Sequence, residues 1–397
     1  MKTTNRYLIL IAGMIIQLCA GIIYMWSVFL KPVVNYLKWE VEPAKTTSSI
    51  MLAMFVLGII LGGYAQDKLG PMKVTLAGSF LIGVGMICTS FVTGDIPWLV
   101  YITYGCVGGF GVGVVYIVTI AAVQKWFPDK RGFASGMIVC AFGLSLAAFV
   151  PLAEAMLNGL GVPKTFLIFG ISFLVICALC SLLINNPPTG YLPKGYTPAQ
   201  AAVTKKQYTP KEIIKTKQFY LLVGGLLFTL PAYFILNPVF KSLGGDRGLS
   251  EEIAALGVIL TGISSALGRL TVSWTSDKIG RKTAMVTIAV ITLIASLVMI
   301  IAEGILFLIC IMLIAFGFGG AASVYSTMTA ESFGTRYGGL NFGLVMIGFG
   351  VSALTFQNIA NFKLLSVEAS FILAAVTCVI AVILVLLMRN PKNMSNK

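Results

Sequence analysis

The sequence predicts an all-α membrane protein with twelve transmembrane helices in two parallel six-helix bundles. Three observations predict it: a composition too apolar for water, apolar runs of membrane-crossing length, and a pattern that occurs twice. Of 397 residues, 58% are hydrophobic and only 11% are charged, a balance that cannot give a soluble globule a wettable surface. The 42 glycines favour a helical bundle over a barrel, because helices packed inside lipid need small residues for close backbone approach.

A helix needs about 20 apolar residues to cross a bilayer, and runs of that kind place spans at 7–31, 46–66, 73–93, 98–123, 133–157, 164–184, 218–240, 252–275, 283–302, 305–330, 337–361 and 367–388. The first run is too long for the apolar core of a signal peptide and has no small-residue cleavage site, so it reads as span 1. Residues 1–184 form one six-helix bundle, 185–217 a Pro- and Lys-rich connector, and 218–397 a second bundle with a short tail. With the N-terminus inside, twenty of the 28 Lys and Arg fall in inside segments, seven fall outside, and Arg269 lies within span 8. That bias predicts both termini on the cytoplasmic side.

The net charge of +14 is spread over the short joints between spans, which argues for topology signals and against a nucleic-acid partner. All eight Cys sit inside apolar runs and no His is present, so neither a disulfide framework nor a metal centre is expected, and no cofactor. A nucleophile–base pair for an intramembrane enzyme has little to be built from.

The repeat is visible in two loops. After span 2 the chain reads GYAQDKLGPMK, with Gly63, Asp67, Gly70 and Lys73; after span 8 it reads SWTSDKIGRK, with Asp277, Gly280, Arg281 and Lys282. Asp67 and Asp277 are 210 residues apart, each closing the second span of its half. A weaker echo, FPDKRG after span 4 and FGTRYG after span 10, supports parallel repeats. An aspartate at a helix end beside basic residues can pair with them or cap a neighbouring helix, so these loops are expected to act as a conformational latch.

Arg269 lies eight residues before Asp277, about 12 Å inside the end of span 8. A cation there needs a watery cavity or a partner, and no acidic residue lies deep in any span: Glu154 and Glu331 are near span ends. The expected partner is a substrate carboxylate held by the guanidinium fork; the competing role is a side chain that snorkels to the surface or bonds helix-end carbonyls. Gln17 and Tyr24 in span 1, Tyr116 in span 4, Asn237 in span 7 and Tyr325 in span 10 are the polar and aromatic residues expected to join it, Tyr hydroxyls being suited to a small anion. Pro231 and Pro238 predict a bent span 7. The Gly-rich stretches of spans 4 and 10 are expected to make tight helix contacts.

Five stretches carry a resemblance: YMWSVF (24–29), QKWFPDKRGFASG (124–136), NPPTGYLP (185–193, read with its preceding Asn), GRLTVSWTSDKIGR (268–281) and FGTRYGGLNFG (333–343). Together they make the chain similar, over nearly its whole length, to the oxalate/formate antiporter family of the major facilitator superfamily, bacterial relatives of the monocarboxylate transporters. The resemblance implies alternating-access transport of small carboxylates in a bacterial inner membrane, with Arg269 binding the anion and Tyr24, Tyr116 and Tyr325 in the stretches of aromatic substrate contacts. Its partners would be a small carboxylate, protons or a counter-anion, and lipid, with the protein acting as a monomer.

Two departures sharpen this. The oxalate exchanger of that family uses a second cation, a lysine in span 11, and span 11 here has none before Lys363. A monocarboxylate such as lactate, pyruvate or formate therefore fits better than oxalate, with oxalate/formate-type exchange as the alternative. Animal monocarboxylate transporters carry an acid one turn before the span 8 arginine and a lysine in span 1, whereas this chain has Ser265 there and no lysine between Arg6 and Lys31. Proton symport and anion exchange both stay open. A carboxylate sensor would want a signalling domain, and a drug exporter a buried acid; neither is evident.

Overall fold

The computed structural model describes residues 5–188, 190–193, 207–236, 240–361 and 364–389. Among these the secondary structure is helical, as expected: α1 (Arg6–Ala20), α2 (Trp26–Leu37), α3 (Val41–Leu69), α4 (Pro71–Thr89), α5 (Gly109–Trp126), α6 (Arg131–Ser181), α7 (Pro210–Ile213), α8 (Lys217–Thr229), α9 (Pro231–Leu236), α10 (Phe240–Asp246), α11 (Glu251–Ile279), α12 (Arg281–Val298), α13 (Gly304–Phe333), α14 (Gly338–Val345), α15 (Ile347–Asn361) and α16 (Val367–Leu387). Ten of the described helical segments are long and apolar enough to cross a membrane. The other two expected spans fall on α6, which carries spans 5 and 6 in one run, and on α11, which covers span 8.

The breaks within spans have local causes. Span 1 passes from α1 to α2 through a tight turn at Gly21–Tyr24. There Gly21 lies so close to Ser145 and the Phe142 carbonyl of α6 that a Cβ would collide with both. Span 7 breaks at Leu230, between α8 and α9, because Pro231 has no N–H to continue the ladder; Pro238 lies outside the described residues. Span 4 begins as a wide π turn at Tyr101–Gly108, where Gly85 of α4 comes so close that a Cβ would lie 2.7 Å from the Thr103 carbonyl. The joint within α6 is Gly161, at φ 78°, a conformation that glycine reaches without steric cost.

The described chain gathers into two compact units. One takes Met1–Phe127, Ala141–Pro193 and Tyr337–Gly343; the other takes Pro128–Cys140, Lys194–Arg336 and Leu344–Lys397. The start of α6 thus clusters with the second unit and the start of α14 with the first. In the first unit α3 packs on α5 through glycines, Gly58 against the Phe110 carbonyl and Gly113 against that of Phe55. In the second, α11 packs on α13 in the same way, Gly268 against the Phe316 carbonyl and Gly319 against that of Ser265. The Gly-rich stretches of spans 4 and 10 are thus tight helix contacts.

Candidate functional site

In the first unit Gln17, Tyr24 and Tyr116 come together. Gln17 is wholly buried; its Nε2 donates to the Tyr116 carbonyl at 3.1 Å and to Thr119 Oγ1 at 2.7 Å, tying span 1 to α5. Its Oε1 is buried and accepts no hydrogen bond from the described residues. The turn at Gly21–Tyr24 sets the Tyr24 ring edge-on to Phe142, centroids 5.4 Å apart. Tyr116 meets the same Phe142 at 5.1 Å and Phe55 at 5.3 Å. Four aromatic rings and one amide therefore share a corner of α1, α3, α5 and α6.

In the second unit Arg269 is 3% exposed, so it does not snorkel. Its Nη1 donates to the Val139 carbonyl of α6 at 3.0 Å, and its guanidinium carbon lies 6.0 Å from the centre of the Phe318 ring. Phe318 in turn stacks on Tyr233, centroids 4.0 Å apart and planes 18° apart. The backbone beneath is pinned as well: Ser323 Oγ donates to the Arg269 carbonyl at 3.0 Å, and Ser273 Oγ donates to Ser323 Oγ at 2.5 Å. A buried guanidinium beside an aromatic platform has the planar, charged donor fork that suits a carboxylate.

Tyr325 stands apart from Arg269. It is fully buried, and its hydroxyl is directed at Gly225 of α8, whereas Ser323, two residues earlier, faces α11. Asn237 lies outside the described residues.

The repeated aspartates both sit at the start of another helix. Asp277 Oδ1 accepts the Gly132 N–H at 3.1 Å and Oδ2 that of Phe133 at 3.0 Å, at the N-terminus of α6. Asp67 Oδ2 accepts the Leu340 N–H at 3.3 Å, at the N-terminus of α14. A carboxylate there meets unsatisfied N–H groups and the positive end of the helix dipole. Gly63 lets the chain approach, since a Cβ would run into Gly339 and the Leu340 nitrogen. Gly70 and Gly280 answer to conformation instead: both end a helix at positive φ, 84° and 90°, and nothing lies within 4 Å of an added Cβ. Lys73 is exposed on the first turn of α4.

The charges around the two aspartates differ. Arg281 pairs with Asp277 at 2.5 Å and with Glu331 at 2.8 Å, and gives a further N–H to Ser276 Oγ at 2.5 Å. Position 71, which matches 281 in the repeat, is Pro, and the cation acting on Asp67 is Lys125. Lys125 also donates to Asn186 Oδ1 at 3.1 Å. Gln66, beside Asp67, is 2% exposed and neither atom of its amide group has a partner among the described residues. Sequence reading missed Lys125 and Glu331 as members of these clusters. The signal was present: each stands two residues before the Phe that opens the echoed FPDKRG and FGTRYG stretches.

A chain of membrane-crossing helices with a buried cation and the same capped aspartate in each half has the build of a secondary transporter. The sequence pattern of the Major Facilitator Superfamily matches residues 9–236 and 222–397, and the chain belongs to that superfamily. It is 29% identical over 354 residues to the Oxalate:formate antiporter of Oxalobacter formigenes, covering 85% of this chain and 80% of that one. It is 26% identical over 353 residues to the uncharacterized MFS-type transporter YhjX of Escherichia coli, covering 88% and 86%. The solved structure of the proton:xylose symporter XylE has the same fold, with a TM-score of 0.75 at 14% identity over 98% of this chain and 99% of that one. The protein is a multi-pass membrane transporter and not an enzyme.

Proposed function

We propose that this transporter moves small monocarboxylates of the lactate, pyruvate or formate type by alternating access, in a bacterial inner membrane with both termini cytoplasmic. Arg269 is the anion-binding residue. The observation that carries the reading is its burial: a guanidinium 3% exposed within a span is expensive to keep, and such a cation marks a functional site. Gln17, Tyr24 and Tyr116 support it as a second polar and aromatic cluster, and Asn237 and Tyr325 complete the proposed set. The antiporter of Oxalobacter formigenes favours carboxylates as a class and keeps oxalate/formate exchange as the alternative. The absence of a lysine in span 11 before Lys363 favours one carboxylate over two.

Gly63, Asp67, Gly70 and Lys73 form one latch and Asp277, Gly280 and Arg281 the other, between six-helix halves at 1–184 and 218–397 joined by 185–217. The working partner is a proton or a counter-anion, and the working form a monomer. Uptake of labelled lactate, pyruvate, formate and oxalate into proteoliposomes tests this, with and without an inward proton gradient and with and without internal anion. Gradient-driven uptake of a monocarboxylate into empty vesicles establishes symport, and uptake only against internal anion establishes exchange. Uptake of oxalate alone replaces the monocarboxylate reading, and uptake of none refutes the carboxylate assignment.

A further inference from the structure

The hydroxyls of α11 follow one rule with one exception. Ser264 donates to the Met312 carbonyl at 2.7 Å, Thr271 to that of Leu267 at 2.7 Å, Thr275 to that of Thr271 at 2.8 Å and Ser276 to that of Ser273 at 2.7 Å. Ser273 is bonded to Ser323, and Thr261 is engaged as well. Thr271, Thr275 and Ser276 use the carbonyl three or four residues back that lies within reach of a helical Ser or Thr, whereas Ser264 and Ser273 bond across to α13. Ser265 does neither: it is 4% exposed, yet its Oγ has no hydrogen-bond partner among the described residues. An unpaired buried hydroxyl costs about 1–3 kcal/mol.

Its position is one helical turn before Arg269, so both side chains leave the same face of α11. Arginine side chains in a helix lean toward its N-terminus, which brings the guanidinium toward the level of Ser265. The two residues share a neighbourhood on α13: Gly319 is where an added Cβ would lie 3.0 Å from Ser265 Oγ, and the adjacent Phe318 is the ring beside the guanidinium. A single cation binds a carboxylate but cannot tell one short acid from another. A neutral hydroxyl one turn away can, if it reads an oxygen on the next carbon.

We infer that Ser265 Oγ is a specificity-determining ligand, hydrogen-bonding the 2-hydroxy or 2-oxo oxygen of a small carboxylic acid whose carboxylate is held by Arg269. This rests on the carboxylate reading above and adds to it a substrate class, short 2-oxygenated acids, that Arg269 alone does not select.

The test compares lactate with propionate, which has the same charge and carbon count and lacks the 2-oxygen, in proteoliposomes of the full chain. Wild type should take up lactate in preference to propionate, and Ser265→Ala should lower lactate uptake about tenfold, the worth of one such hydrogen bond, while propionate uptake holds. If the Ala variant fails to accumulate, Ser265→Cys, nearly isosteric with a weak donor, carries the same expectation. A lactate-induced rise in Tm of the purified protein, lost in the variant, gives a readout independent of transport. Wild type that moves both acids equally, or a variant that loses both or neither, overturns the role of Ser265 and leaves the carboxylate reading standing. Wild type that moves no carboxylate removes both.

Discussion

Arg269 shows what a single residue reveals before and after folding. Its charge inside an apolar run marked it in the sequence, because ionisable groups within spans are rare and expensive. Its partner carbonyl, Val139, could not be marked, since every helical residue carries the same carbonyl and only the tertiary fold chooses one. The same holds for Gln17, legible as a polar residue in span 1 but not as the tie to Thr119. Arg269→Lys keeps the charge and loses the planar fork. Uptake should fall more than about tenfold while the amount of protein in the membrane stays at the wild-type level; uptake assayed against immunoblotted membrane protein checks both. Normal uptake by this variant removes Arg269 from the binding site.

At the scale of elements, periodicity and apolar length found the spans, and Pro231 announced the break in span 7. The turn at Gly21–Tyr24 and the π turn at Tyr101–Gly108 were not announced. Both arise where a glycine of one helix meets the backbone of another, and a contact between distant segments leaves no local signature. Two glycines of α11 make the point measurable. A Cβ at Gly268 would run into the Phe316 carbonyl, whereas one at Gly262 meets nothing within 4 Å. Gly268→Ala should lose about 1–3 kcal/mol by overpacking and lower the Tm in detergent by several degrees. Gly262→Ala should leave the Tm unchanged or raise it, since alanine is favoured over glycine by about 1 kcal/mol inside a helix. Equal effects at both positions would refute the close-packing account of α11 and α13.

At the scale of the molecule, the internal repeat was legible in Asp67 and Asp277, and its asymmetry was not. One aspartate is held by two N–H groups and a guanidinium that also reaches Glu331; the other accepts the Leu340 N–H at 3.3 Å and has a lysine beside it. Asp67→Asn and Asp277→Asn should each slow transport with little change in KM, the mark of a conformational rather than a binding defect, and the second should slow it more. A pure rise in KM in either would contradict the latch. These two contacts also differ in when they can form. Asp277 meets Gly132, made 145 residues earlier, but Asp67 must await Leu340, made 273 residues later. A ribosome releases the first aspartate long before its cap exists and the second only after its cap is already in place. Asp67 therefore stays without this cap through most of synthesis, until the start of α14 has been made.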